Sequence, residues 1–263
     1  MNLGLQNKTA LITAASKGIG KACAGALIQE GCRVMISSSN KDNLISASNE
    51  LNSQCNTEIL WHECNVKDPY DIKSTISDAV DAFGKIDILI NNCGGPVSGP
   101  IESFSDDDWV DAFNEVLMSV VRFSREVSEL MKQNNFGRII NITSISVKQP
   151  IQRLVLSNSL RSGVTAFAKT LSTELATFNI TINNIAPGYT LTNRIYDLAI
   201  EQAKASNISY EEVLKNFSKD IPMGRMGKPE EIGSLAAYLC SEKAAYITGQ
   251  TIAVDGGFVK YVM

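Results

Sequence analysis

The chain has 263 residues, 44% hydrophobic and 20% charged, enough apolar content for one sizeable core and within the upper range of a single domain. A formal charge of −4 offers no general attraction to nucleic acid or to an anionic membrane, and no block of like charge reads as an interaction tail. The start Met1–Lys8 lacks the basic and apolar regions of a signal peptide and no apolar run reaches the ~20 residues of a spanning helix, so the expectation is a soluble, cytoplasmic protein.

The first element is the short β-type run Thr9–Thr13, followed by the small-residue turn Ala14-Ala15-Ser16-Lys17-Gly18-Ile19-Gly20 and a helical pattern from Lys21 to Glu30. That order puts the turn at the carboxyl end of a strand, with the N–H groups of the next helix aimed outward as an anion site. Lys17 brings an ammonium group to a phosphate held there. The second run, Arg33–Ile36, ends in Ser37-Ser38-Ser39-Asn40-Lys41. An acidic residue after this strand would bond a free ribose 2′-OH; Ser38, Ser39 and Lys41 in its place fit a 2′-phosphate, which predicts NADP(H) over NAD(H).

A third strand is expected within Glu58–Val66, a helix over Asp71–Phe83, and a fourth strand, Ile86–Ile90, running into Asn91-Asn92-Cys93-Gly94-Gly95-Pro96. Strands alternating with helices predict a Rossmann-type α/β domain, a doubly wound parallel sheet with ligands at the carboxyl ends of its strands. Ser105 is the expected N-cap of a long helix, with acids Asp106–Asp108 in its first turn and an apolar period from Trp109 to Met131. A fifth strand covers Gly137–Ser144, a helix about Leu156–Phe178, and a sixth strand Thr181–Ala186 ends at Pro187-Gly188. The segment 191–220 is polar and helical in pattern, demands little burial in a sheet, and is expected to form a substrate lid. A helix over Pro229–Leu239 and a strand over Thr251–Val254 close a single domain, 1–263. Six scattered cysteines without a CxxC pair are expected as reduced, packed thiols, and a lone histidine, His62, builds no metal cluster, so no metal is expected.

These motifs, taken together, resemble the short-chain dehydrogenase/reductase family over essentially the whole chain. Thr13–Gly20 resembles its TGxxxGIG cofactor loop, with Ala14 where the first glycine stands, so the backbone there must accept a Cβ. Asn91–Gly94 resembles its NNAG motif, and Pro187-Gly188 with Thr192 its PGxxxT segment. Ile221–Glu231 and Ile247–Gly257 resemble the 3-oxoacyl-carrier-protein reductase branch. The resemblance implies that Thr13, Ser16, Gly18, Ile19 and Gly20 serve the cofactor's pyrophosphate end. It likewise puts Asn65 and Val66 beside adenine, Asn91, Gly94, Pro187 and Gly188 along the cofactor, and Thr192 near the nicotinamide amide. It also implies a homo-oligomer, most simply a tetramer, joined through Ala244–Val259.

The family's catalytic tetrad is Asn, Ser, Tyr and Lys. Alignment on Gly163 and Lys169 puts Ser157 at the Tyr position and Arg161 at the Lys position; alignment on Trp109 puts Val116 at the Asn position; Ser144 is retained. None of the seven tyrosines precedes a Lys or Arg by four in that helix, and Tyr189 and Tyr196 are the candidates for a displaced donor. Serine titrates far above the ~10 of tyrosine and arginine holds its proton too tightly for efficient acid catalysis. The planar fork of Arg161 suits the nicotinamide ribose, a carboxylate or an enolate oxygen. Three functions remain open: an NADPH-dependent reductase of a small conjugated carbonyl substrate through Ser144, Ser157 and Arg161; a non-catalytic dinucleotide-binding sensor or partner subunit; and a 3-oxoacyl-type ketoreductase with a displaced donor.

Overall fold

The computed structural model describes residues 2–53 and 58–261. Its elements in chain order begin with β1 (Thr9–Ile12), α1 (Gly18–Gln29), β2 (Arg33–Ser38), α2 (Lys41–Asn52), β3 (Leu60–Glu63), α3 (Pro69–Phe83) and β4 (Ile88–Asn91). They continue with α4 (Asp106–Phe113), α5 (Ser119–Asn134), β5 (Gly137–Ile142), α6 (Val155–Leu175) and β6 (Ile180–Pro187). Helices α7 (Asn193–Ser206) and α8 (Tyr210–Lys219), in the segment expected to form a substrate lid, precede α9 (Pro229–Cys240) and β7 (Thr251–Val254). The strands form one parallel sheet in the order β3-β2-β1-β4-β5-β6-β7.

Alternation along each strand divides the core in two. Ala10 and Ile12 of β1 join Val34, Ile36, Ile88 and Ile90 beneath α1, α2 and α9, where Cys23, Leu27, Leu44 and Ile232 are buried. Leu11 points the other way, with Met35, Leu89 and Ile139, onto Ile72 and Ile76 of α3 and Phe123 and Val127 of α5. Neither face of the sheet is left for water, which is why these strands read as apolar runs.

Several boundaries differ from the sequence reading. The third strand is only Leu60–Glu63, because Asn65 turns the chain by accepting from Lys67 N at 3.1 Å. Helix α3 starts two residues early, with Pro69 in its first turn and Asp68 accepting from Tyr70 N at 2.8 Å. The long helix of 109–131 is interrupted: α4 and α5 are joined by a π-helical turn over Asn114–Met118, where Ser119 N reaches back to Asn114 O. Ser105 caps α4 in a capping box with Asp108. The lid also buries more than its polar composition suggests. Ile195, Ile221 and Met226 form a small core with Tyr189, Leu214, Phe217 and Phe258.

Cys23, Cys32, Cys64, Cys93 and Cys240 are free thiols; Cys55 lies outside the described residues. Burial raises Cys23 to about 12 and Cys64 to about 11, so these are inert packing groups. His62 bonds Asp78 at 2.7 Å on the surface. Among the described residues there is no metal-ligating cluster and no helix long and apolar enough to cross a membrane.

Candidate active site

The β1–α1 turn is pinned from below. Thr13 Oγ1 donates to Asn92 O at 2.6 Å and accepts from Asn92 N at 2.8 Å, while Asn92 Nδ2 donates to Ala14 O at 3.0 Å. Ala14 takes a φ of +45°, the left-handed conformation the family's glycine would adopt without strain. A Cβ on Gly20 would stand 2.7 Å from Ala14 O, so only glycine lets α1 pack this close under the turn. Lys17 precedes the first turn of α1 and caps it with no side-chain bond. The first N–H groups of α1 have no intrahelical acceptor, and a phosphate is the ligand such a helix start takes. Ser16 Oγ bonds Ser38 Oγ at 3.0 Å, tying the turn to the end of β2.

Above this edge lies a cavity of about 590 Å³. It is lined by Ser16, Lys17, Gly18, Ile19, Ser38, Ser39, Asn65, Val66, Gly94, Ser144, Ser157, Arg161, Pro187, Gly188 and Thr192, all singled out from sequence. Thr192 packs over Gly18, where a Cβ would be 3.3 Å from its methyl group. Gly188 admits Asp255, whose Cα a Cβ there would approach to 2.8 Å.

Four expected cofactor residues do not line the cavity. Thr13 and Gly20 lie beneath the turn they shape. Lys41, at the start of α2, lies 6.0 Å from the Trp61 ring centre. Asn91 is turned into the sheet: its Nδ2 donates to Ser124 Oγ at 3.0 Å and to Asn141 Oδ1 at 2.9 Å. Asn141 passes the pattern to Asn184, and Asn184 to Thr251, a polar ladder across four adjacent strands.

Ser144 follows β5, its Oγ accepting from Ser146 N at 3.1 Å. Ser157, in the first turn of α6, is buried with its hydroxyl beside the cavity. Arg161, one turn further, is only 7% exposed. Its Nη1 donates to Ile142 O at 2.9 Å and Thr143 O at 3.2 Å, and its Nη2 to Gly94 O at 3.3 Å. The fork is therefore spent on backbone carbonyls, and Arg161 reaches the cavity as a fixed, buried positive charge. Val116, the residue that alignment on Trp109 sets against the family's Asn, is buried against Leu156 and Leu160.

Sequence reasoning missed three charged lining residues: Lys67, which pairs with Asp111 at 2.8 Å, Glu115 and Arg194. Glu115 lies in the π-helical turn, where an ideal Cβ on Gly94 would stand 2.8 Å from its Oε1. Burial pushes its carboxyl above the ordinary range, opposed by the charges of Lys67, Arg161 and Arg194. Arg194, in the first turn of α7, donates to Pro96 O at 2.6 Å. An arginine two residues after Thr192 was the available signal; the π turn that exposes Glu115 had none in the sequence. Of the tyrosines, only Tyr189 lines the cavity. Its ring stacks on Phe217 at 4.7 Å and meets Phe258 edge-on, as a member of the lid core. Tyr196 is 38% exposed beside Tyr210.

The family model described as enoyl-(acyl carrier protein) reductase matches residues 13–259. The chain is 32% identical over 259 residues to the NADPH-dependent reductase BacG of Bacillus subtilis (strain 168), covering 98% of this chain and 100% of that one. The chain belongs to the short-chain dehydrogenase/reductase family. Within it, the 3-oxoacyl-[acyl-carrier-protein] reductase FabG of Escherichia coli (strain K12) is 32% identical over 255 residues, 97% of this chain and 98% of the relative. Among solved structures of the family, L-sorbose reductase from Gluconobacter frateurii, complexed with NADPH and L-sorbose, superposes with a TM-score of 0.94 at 30% identity, covering 100% of both chains. The chain is thus an oxidoreductase by family.

Proposed function

We propose that this protein is an NADPH-dependent reductase that adds hydride to a carbon conjugated with a carbonyl, and that it does so without the Tyr/Lys pair of its family. The observation that carries the reading is that Ser144, Ser157 and Arg161 line one cavity, Ser157 and Arg161 buried; alignment of the sequence on Gly163 and Lys169 sets Ser157 and Arg161 against the family's Tyr and Lys. The choice of NADP(H) is supported by Lys17 beside the helix start and by Ser38 and Ser39, with no acid, at the end of β2. When bound, the cofactor supplies the hydride.

Addition to the conjugated carbon moves the electron pair of the C=C bond onto the carbonyl oxygen as an enolate. Ser144 and Ser157 donate hydrogen bonds to that oxygen, and the charge of Arg161 behind them favours its formation in a desolvated setting. Water then protonates the α-carbon, so two C–H bonds replace one C=C bond. An unconjugated ketone would instead build an alkoxide with no nearby acid to protonate it. An enolate is far less basic and tolerates late protonation.

The test is NADPH oxidation over saturated ketones, acetoacetyl thioesters and enones. Enones are expected to turn over while the other two classes stay near background. Ser157→Ala or Arg161→Ala should slow the enone reaction roughly a hundredfold, the scale of losing one oxyanion donor. Brisk turnover of saturated ketones, indifferent to both changes, would overturn this placement of the active site. Silence on every class would favour the non-catalytic sensor or partner subunit. The displaced-donor reading keeps one supporting observation, the presence of Tyr189 in the cavity wall; ketone turnover abolished by Tyr189→Phe would establish it.

We also propose a cytoplasmic homotetramer joined through Ala244–Val259. β7 forms one edge of the sheet, its four residues are half-buried, and Tyr246 stands fully exposed just before it.

A further inference from the structure

Five charged residues line the cavity, and four of them, Lys17, Lys67, Arg161 and Arg194, are cations. Lys67 is paired with Asp111 at 2.8 Å, Arg161 is spent on carbonyls, and Lys17 stands at the phosphate turn. Arg194 has none of these commitments. Its Nη2 is held by Pro96 O, and among the described residues no carboxylate lies within 4 Å of the guanidinium. Glu201, one candidate on the same helix, instead accepts from Ser98 Oγ at 2.5 Å.

The place of this group is built. The guanidinium lies over Gly95, where a Cβ would stand 3.0 Å from Nε and 3.3 Å from Nη2, so the loop's glycine admits it. The loop of 93–100 is in turn joined to Arg153 and Leu154 by Gly99 N donating to Arg153 O at 2.8 Å. Arg194 therefore stands where the lid, this loop and the segment before α6 converge, in a cavity whose apolar walls include Ile151, Leu154 and Leu198. Burial lowers its affinity for its proton, as does the charge of Arg161, while the carboxylates of Glu201, Asp197 and Glu115 act the other way without touching it. A half-buried cation with no carboxylate in contact is under-compensated, and a carboxylate held by its free donors would complete the pairing.

We propose that Arg194 is the anchor for a carboxylate on the substrate, so that the substrate class is a conjugated carbonyl compound that is also a carboxylic acid. The proposal deepens the conjugate-reduction reading and rests on it for the position of the reacting carbon. The carboxylate accepts from the guanidinium N–H groups of Arg194 that Pro96 leaves free, Pro96 keeps the fork from rotating, and Ser144 and Ser157 meet the carbonyl oxygen. Selectivity follows from the unpaired charge: an ester of the same shape leaves it unsatisfied.

The test uses 3-oxocyclohex-1-ene-1-carboxylate and its methyl ester as a matched pair, with NADPH oxidation as the readout. Wild type should prefer the acid by roughly tenfold to hundredfold in kcat/KM, the worth of a hydrogen-bonded charge, with most of the difference in KM. In Arg194→Met the acid-to-ester ratio should collapse toward one, and Arg194→Lys should restore part of it. NADPH affinity, measured by quenching of protein fluorescence, reports that each variant is folded. Equal use of acid and ester by wild type overturns the proposal, as does a Met variant that slows both alike, the result of a mere clamp between lid and loop. If neither compound turns over, calorimetry with saturated 3-oxocyclohexane-1-carboxylate on the NADP+-loaded protein decides. Binding of the acid and not its ester, lost in Arg194→Met, upholds the carboxylate site while sinking conjugate reduction; absence of that discrimination overturns the site.

Discussion

Lys17 and Ala14 carry opposite kinds of information within one turn. Ala14 is held at positive φ by its neighbours, a strain of about 1 kcal/mol for a non-glycine residue, which persists because Asn92 Nδ2 and the packing of Gly20 define the carbonyl direction there. Lys17 is exposed, makes no cap bond, and gains a partner only from a ligand phosphate. Lys17→Ala is therefore expected to weaken NADPH by roughly tenfold and NADH far less, since the charge-assisted contact is made to the extra phosphate. A parallel titration of both cofactors checks this; equal losses would remove Lys17 from the 2′-phosphate site. Arg161 teaches a different lesson at this scale. Spacing located it beside Ser144, yet three carbonyls supplied by β5 and the β4 loop decide which way its fork faces.

At the scale of elements, α9 supports the site from the far side of the sheet's edge. It packs on α1 so closely that a Cβ on Gly233 would stand 2.6 Å from Ala22 O, a backbone atom with no room to retreat. Gly233→Ala should destabilise the protein by about 1–3 kcal/mol, the usual range for overpacking. Thermal unfolding at neutral pH measures it, and an unchanged midpoint would show that the helices are free to separate. The start of α9 is fastened by Glu231, which accepts from Arg225 Nη1 at 2.9 Å and Nη2 at 2.7 Å and from Lys228 N at 2.7 Å. These bonds, Arg225 first, lower its carboxyl from 4.5 to about 2. A depressed carboxylate stabilises the folded state above the unfolded value and ceases to do so as pH falls through the folded one. The melting temperature should accordingly drop between pH 4.5 and 2. Glu231→Gln should lower it at neutral pH and flatten that acid-side drop; an identical pH profile in the variant would refute the linkage.

At the scale of the whole molecule, β1 and β4 are the parallel neighbours at which the order of strand addition reverses: β2 and β3 build outward on one side of β1, and β4, β5, β6 and β7 on the other. The loops after those two strands diverge there and leave the crevice that the cavity fills. An acidic protein of net charge −4 thus collects cations at one edge, where the anionic cofactor is drawn in and where the proposed carboxylate substrate would follow it. The opposite concern is the free edge at β7. Light scattering at micromolar concentration should report four chain masses, and a monomer would count against burial of Ala244–Val259 between subunits.

The sequence by itself determined the sheet, the phosphate turn and most of the cavity lining, because these depend on local periodicity and on glycines whose missing Cβ has one purpose. Gly18, Ile19 and Ser38 were legible in this way, Asn65, Ser144, Ser157 and Thr192 through the family resemblance, and all line one cavity. Tertiary structure alone decided what long side chains and irregular turns do. Asn91 faces a ladder of asparagines because β4, β5 and β6 align in register, and Glu115 enters the cavity because a π turn adds one residue to a helix. Arg194 meets Pro96 across 98 residues of chain. A guanidinium on three flexible methylenes takes its direction from whichever carbonyl the fold brings within reach, and no periodicity in the chain encodes that encounter.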